Sequence, residues 1–212
     1  MRSAFISGAV EDYLYALLPR RDVVLAEMET YAVRHDVPIV GPAVGRLLAL
    51  LVQVSGARRI FEMGSAIGYS TLWLARAAGP RAEVYYSDGD AENARRARRS
   101  FERAGVAGRI RILTGDSLAL LRKTRGRFDL IFCDVDKDQY PAAFRIAVAK
   151  LRRGGLLVAD NALWFGRVVR PAKRGEADTR GIQQFNRLLY NSKSLFPVLI
   201  PLRDGVAVAR KK

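Results

Sequence analysis

The sequence is poor in the residues that build metal thiolate sites, disulfides and histidine-based chemistry. It has one cysteine, Cys133, and one histidine, His35, in 212 residues. A lone Cys makes no internal disulfide, and no Cys/His cluster is present to hold zinc. A Ser-His-Asp or Cys-His nucleophile has little to draw on, and neither a G-x-S-x-G elbow nor a P-loop pattern occurs. No run approaches the ~18 apolar residues of a membrane span. The opening MRSAFISGAVEDYLYALLP carries Glu11 and Asp12 and has no signal-type apolar stretch, so the expected location is cytoplasmic. Internal repeats, low-complexity blocks and Gly/Ser linkers are missing too, which argues for one domain spanning residues 1–212.

What the sequence has in excess is arginine. Net charge is +15, and 29 of the 36 basic residues are Arg. Such a field favours anionic partners, nucleic acid among them. The densest group, Arg95, Arg96, Arg98, Arg99 and Arg103, lies in AENARRARRSFERAG. On a helix these residues turn outward while Ala94, Ala97 and Phe101 turn inward, so a solvated face is the preferred reading. Basic residues interleaved with aromatics, as single-stranded nucleic acid needs, are not seen, and a nucleic-acid partner is not expected.

Residues 1–55 read as a helical extension with helices near 10–18, after Pro19 and after Pro42. From residue 56 onward, short apolar runs (58–63, 82–88, 109–115, 128–135 and 155–160) alternate with helical stretches. That alternation predicts a Rossmann-like, doubly wound α/β core, with a mostly parallel sheet covered by helices on both faces. The end departs from the pattern. After a helix near 179–192, two apolar runs flank Asp204-Gly205 and predict an antiparallel hairpin, for seven strands in all.

Doubly wound sheets bind ligands beyond the carboxyl ends of their strands. Glu62, Gly64, Asp88, Asp116, Asp134, Asp160 and Asn161 fall at those ends. After the first strand, the turn Gly64-Ser65-Ala66-Ile67-Gly68 is built of small residues that permit close backbone approach to a ligand. Asp88, ending the second strand, suits the two hydroxyls of a ribose, and Asp116-Ser117 can reach an adenine edge. Helix capping is the competing role for both aspartates. Asp134, Asp160 and Asn161 offer hard oxygen ligands for Mg²⁺, Mn²⁺ or Ca²⁺, leaving about three places in a six-coordinate shell for a vicinal diol and a water. The plainer alternatives are a helix cap at Asp134 and a simple turn at Asp160-Asn161.

The segments FEMGSAIGYSTLWLA (61–75), FDLIFCDVDKDQY (128–140), GGLLVADNALWFGRV (154–168) and PLRDGVAVARK (201–211), with Asp88 and the opening PIVGPAVGRLL (38–48), resemble one family in order along nearly the whole chain. It is the cation-dependent class I O-methyltransferases, the group of caffeoyl-coenzyme A and catechol O-methyltransferases, and its small bacterial members above all. The resemblance implies S-adenosylmethionine as cofactor, in a pocket lined by Val40, Glu62, Gly64, Ser70, Asp88, Asp116, Ser117 and Asp134. It also implies a metal on Asp134, Asp160 and Asn161, a catalytic pair of Asp134 and Lys137 with Lys137 as base, and a homodimer. Ala66 departs from the glycine often found at the middle of the turn. The expected reaction is metal-dependent methyl transfer to a hydroxyl of a catechol-like small molecule; an RNA or other anionic acceptor is the alternative.

Tyr140, Trp164 and Phe165 are candidate aromatic walls for the acceptor. The polar stretch 167–181 reads as a lid whose Arg167, Arg170, Lys173 and Arg174 would favour an acidic acceptor. His35 reads as a surface residue and Cys133 as core.

Overall fold

The sheet starts at its middle strand and is wound outward to either side. The structure, a computed structural model, describes residues 7–212. The expectation of no leader rests partly on residues 1–6, which lie outside the described part. β1 (Arg59–Met63) is central; β2 (Glu83–Asp88) and β3 (Ile110–Thr114) extend the sheet to one side, and β4 (Phe128–Cys133) and β5 (Leu151–Ala159) to the other. All five are parallel. β6 (Leu195–Ile200) and β7 (Val206–Lys211) close that second side in the order β5-β7-β6, antiparallel as the Asp204-Gly205 pattern predicted. Pro197 is tolerated in β6 because that strand is an edge and pairs only with β7.

Alternation along the strands separates two cores. Ile60, Val84, Leu130 and Val158 face α2 (Val23–Arg34), α3 (Gly41–Ser55), α4 (Tyr69–Ala78) and α5 (Ala91–Arg103). Phe61, Ile131, Leu157 and Ala207 face α6 (Ser117–Lys123), α7 (Tyr140–Lys150) and α8 (Ala177–Asn191). Neighbouring residues of one strand therefore serve opposite layers, as the period of two requires. The first helix, α1 (Gly8–Ala16), starts two residues before the expected position because Ser7 caps it. β5 starts at Leu151, not at 155, and the strand runs through Gly154 and Gly155 with a register shift against β4.

The arginine helix behaves as its pattern suggested, with Ala94, Ala97 and Phe101 buried beneath it. Two of its arginines reach across to a neighbouring helix. The Arg96 guanidinium lies 3.7 Å above the Tyr31 ring, and Arg103 pairs with Glu27. Both tie α5 to α2. Among the described residues, no helix is long and apolar enough to cross a membrane.

Candidate functional site

A cavity of about 550 Å³ opens at the carboxyl ends of the parallel strands, where a doubly wound sheet places its ligands. The register explains why distant residues meet there. Glu62 pairs with Phe132 and Met63 with Cys133, so Gly64 and Asp134 leave the sheet side by side. Cys133 in turn pairs with Ala159, which sets Asp134 beside Asp160. Gly64 must be glycine: its φ is 78°, and a Cβ there would run into the Asp134 carbonyl.

Gly64, Asp88, Asp116, Ser117, Asp134, Lys137 and Asn161 all border the cavity. Val40, Glu62, Ser70 and Asp160 are buried just behind its wall, and no surface of theirs borders it. Asp88 is not the cap of α5; that role belongs to Asp90. One Asp88 oxygen accepts from the Ala66 amide at 2.8 Å, and the other from the Asp90 amide at 2.9 Å, so it braces the turn after β1. Asp116 does cap α6, accepting from the Ala119 amide at 2.6 Å, and it borders the cavity as well. Ser117 accepts from the Gly64 amide at 3.3 Å and donates to the Ser87 carbonyl at 3.2 Å.

Glu62 is fully buried on the side of the sheet facing α4, with one oxygen accepting from the Thr71 hydroxyl and the other without a partner. Burial pushes its carboxyl up to about 7, against the pull of the nearby Ser70, Thr71 and Ser65 hydroxyls.

At the other end of the cavity, Lys137 Nζ donates to Asp134 Oδ1 at 2.7 Å and to the Val135 carbonyl at 3.1 Å, with the Tyr140 hydroxyl at 3.3 Å. It is not a solvated surface lysine. Burial alone would lower its pKa, but the Asp134 carboxylate, helped by Asp160, outweighs that and raises it. Asp134 caps no helix: the Asp134 carboxylate faces Lys137, while α7 begins after Gln139.

Asp160 is 1% exposed, and among the described residues neither of its carboxylate oxygens has a hydrogen-bond partner. Burial pushes its pKa up to about 6; Arg203 pulls it down and Asp134 pushes it further up. Asn161 sits in a left-handed turn, φ 54°, and its Nδ2 donates to Asp204 Oδ2 at 3.1 Å. The amide is thereby oriented, with its oxygen left to serve as a ligand. Among the described residues no group of three His, Cys, Asp or Glu side chains could hold a metal; this set is two carboxylates and an amide. Orphaned buried carboxylate oxygens beside a fixed amide fit a hard divalent cation.

Trp164 and Phe165 border the cavity as aromatic walls, but Tyr140 does not. It is fully buried, and its hydroxyl donates to the Asp160 carbonyl at 3.0 Å, bracing the turn from beneath. The 167–181 stretch is tied down: Arg170 clamps Glu176 at 2.7 and 2.8 Å, and Gln183 donates to the Val168 and Arg170 carbonyls. None of Arg167, Arg170, Lys173 and Arg174 borders the cavity. Its charged walls are instead Asp88, Asp116, Asp134, Asp136 and Asp178, against Lys137 and Arg203.

Asp204 and Arg203 went unnoticed in the sequence, where they read as a hairpin turn. Both are buried, and Asp204 also accepts from the Phe165 amide. The one available signal was an Arg-Asp pair inside an apolar context. Six residues other than glycine have positive φ among the described residues, and five of them, Ala66, Asn161, Trp164, Phe165 and Arg203, border this cavity. Strained backbone concentrates at functional sites. His35 is exposed and stacks on Tyr31, and Cys133 is buried with its thiol pushed up to about 12 by burial.

A family model described as O-methyltransferase matches residues 20–212. Over 215 residues the chain is 31% identical to a catechol O-methyltransferase of Niastella koreensis, covering 96% of this chain and 97% of that protein. The O-methyltransferase of Bacillus cereus, solved in complex with SAH, matches with TM-score 0.88 at 31% identity, over 96% of this chain and 97% of that one. TomG of Streptomyces achromogenes, involved in tomaymycin synthesis and solved in complex with SAM, matches with TM-score 0.87 at 29% identity, over 96% of each chain.

Proposed function

The chain belongs to the S-adenosylmethionine-dependent O-methyltransferase family, and from that premise we propose that it transfers the methyl group to a hydroxyl of a catechol-like small molecule with the help of a divalent metal. The observation that carries the metal is the buried, unpartnered carboxylate of Asp160 beside Asp134 and the oriented amide of Asn161. A cation such as Mg²⁺, Mn²⁺ or Ca²⁺ held by these three would favour the phenolate form of the acceptor over the neutral phenol.

The remaining work falls to the chain. The turn Gly64–Gly68 and Asp88 would receive the cofactor, Asp88 taking the ribose and Asp116-Ser117 the adenine, with the buried Val40, Glu62 and Ser70 supporting that wall from behind; the lining of the cavity by Gly64, Asp88, Asp116 and Ser117 supports this. Trp164 and Phe165 would give an aromatic acceptor an apolar wall. When bound, the cofactor would supply a sulfonium methyl open to direct displacement by the acceptor oxygen, its sulfur leaving with the electron pair. The protein contributes in-line placement. Lys137 lines the cavity and would face the acceptor oxygen from its wall. Its ion pair with Asp134 holds its proton, so in this arrangement it acts first as a positive charge on the phenolate. It accepts the proton only once that pairing is loosened.

An RNA or otherwise anionic acceptor finds less support, since it would meet the aspartates at the cavity wall. A homodimer remains part of the proposal. Val10, Tyr13, Leu14 and Leu17 are exposed on α1 and its C-cap at helical spacing, an apolar stripe that a second copy would cover.

The test uses labelled S-adenosylmethionine and a panel of vicinal-diol aromatics, with Mg²⁺ or with a chelator. Transfer that stops with the chelator is expected. Transfer undiminished by it would overturn the metal role, and transfer to RNA alone would overturn the acceptor class.

A further inference from the structure

Arg203 is out of place for an ordinary surface arginine. It is 9% exposed and its backbone is left-handed, φ 53°, where side chains other than glycine are disfavoured. It borders the cavity, and its Nε has no hydrogen-bond partner among the described residues. One terminal nitrogen donates to the Ile39 carbonyl at 2.8 Å, across 164 residues of chain. The other lies 3.7 Å from Asp160 Oδ2, the oxygen that no hydrogen bond satisfies. The Ile39 carbonyl anchors the guanidinium, so it cannot simply swing into solvent when another cation arrives.

We infer that Arg203 is the built-in counter-charge of Asp160 and sets how tightly a divalent cation binds at Asp134, Asp160 and Asn161. The inference rests on the proposed metal site. Its physical basis is like-charge repulsion at short range in a buried setting, where solvent screens little. An arginine does not lose its proton to escape that repulsion. The site is therefore neutralised in part before any metal arrives, and a metal ion must share Asp160 with a fixed cation. This residue tunes affinity for the cation without being a ligand to it.

The test is Mn²⁺ binding without cofactor or acceptor, followed by the electron paramagnetic resonance signal of free Mn²⁺. Arg203→Gln removes the charge and keeps most of the length; Arg203→Gly removes the charge and suits the left-handed backbone. Both are expected to bind Mn²⁺ about tenfold more tightly than wild type, or better. Arg203→Lys keeps a positive charge and is expected to stay within about threefold of wild type. In an Asp160→Asn background Arg203→Gln should bring no gain over Asp160→Asn alone, whereas a general loosening of the fold would act in either background. If wild type binds Mn²⁺ and both charge-removing variants bind it no more tightly, the inference fails and the metal site stands. If wild type and variants all fail to bind Mn²⁺, the metal site itself fails and takes the inference with it.

Discussion

At the scale of single residues, the site depends on groups that never face the ligand. Asp204 touches none of the cavity, yet it holds the Asn161 amide and the Phe165 amide. Groups that orient a metal ligand commonly change affinity by ~10–100-fold when lost. Asp204→Ala is expected to weaken Mn²⁺ binding within that range, and titration of the metal checks it. Glu62 makes a pH prediction. Its carboxyl is raised from 4.5 to about 7 in the folded protein. Between those values the folded state keeps a proton that the unfolded chain has released, so stability falls as pH rises through this window and levels off above it. The shift corresponds to roughly 3 kcal/mol at most. Glu62→Gln mimics the protonated form. It should match wild type near pH 4 and exceed it at pH 8 by up to about 3 kcal/mol, as read from urea denaturation at the two pH values. Equal effects at both pH values would contradict the assigned titration.

Secondary elements place the reactive groups through contacts that only small residues allow. Gly181 in α8 packs on the short 3-10 turn Lys137–Gln139, and a Cβ there would collide with the Lys137 carbonyl and the Asp138 Cα. The helix thus presses directly on the backbone that carries Lys137. Gly181→Ala is expected to cost about 1–3 kcal/mol of stability, the usual range for overpacking. It should also lower kcat more than it raises KM for the acceptor, because it moves Lys137 and leaves the aromatic wall in place. Thermal denaturation and steady-state kinetics read the two effects separately. Gly45 plays the matching part between α3 and α4, where a Cβ would meet the Trp73 indole.

For the molecule as a whole, two surface properties remain to be accounted for. The first is the apolar stripe of α1, where Tyr13 is 63% and Leu17 61% exposed. If a second copy covers it, Leu14→Glu combined with Leu17→Glu should turn a dimer into a monomer in sedimentation, with the fold retained by circular dichroism. A wild-type monomer at micromolar concentration would refute the pairing. The second is the +15 charge. Its arginines sit mostly on outer faces such as that of α5, while the cavity wall is dominated by aspartates. The positive field therefore surrounds the site without defining its acceptor.

The sequence by itself determined the layer order, the hairpin and most of the groups at the strand ends. Periodicity of two in Ile60/Phe61 and Ile131/Phe132 sorts residues between two cores, and Asp88, Asp116, Asp134, Asp160 and Asn161 each follow an apolar run. Those signals are local, because a strand's side-chain alternation and its end are written in neighbouring residues. Only the tertiary structure decided the rest. Whether Glu62 borders the cavity or lies behind it depends on which face α4 covers. Tyr140 follows a strand end like an acceptor wall would, but packing turns its hydroxyl onto the Asp160 carbonyl beneath the turn. The arginines of 167–174 suit an acidic acceptor by composition, but the fold keeps them off the cavity and pairs Arg170 with Glu176. Arg203 and Asp204 gained their roles because the β5–β7 pairing brings residue 204 to residue 161, across 43 positions of chain. Charge, burial and distance between remote residues are properties of the packing, and no local pattern carries them.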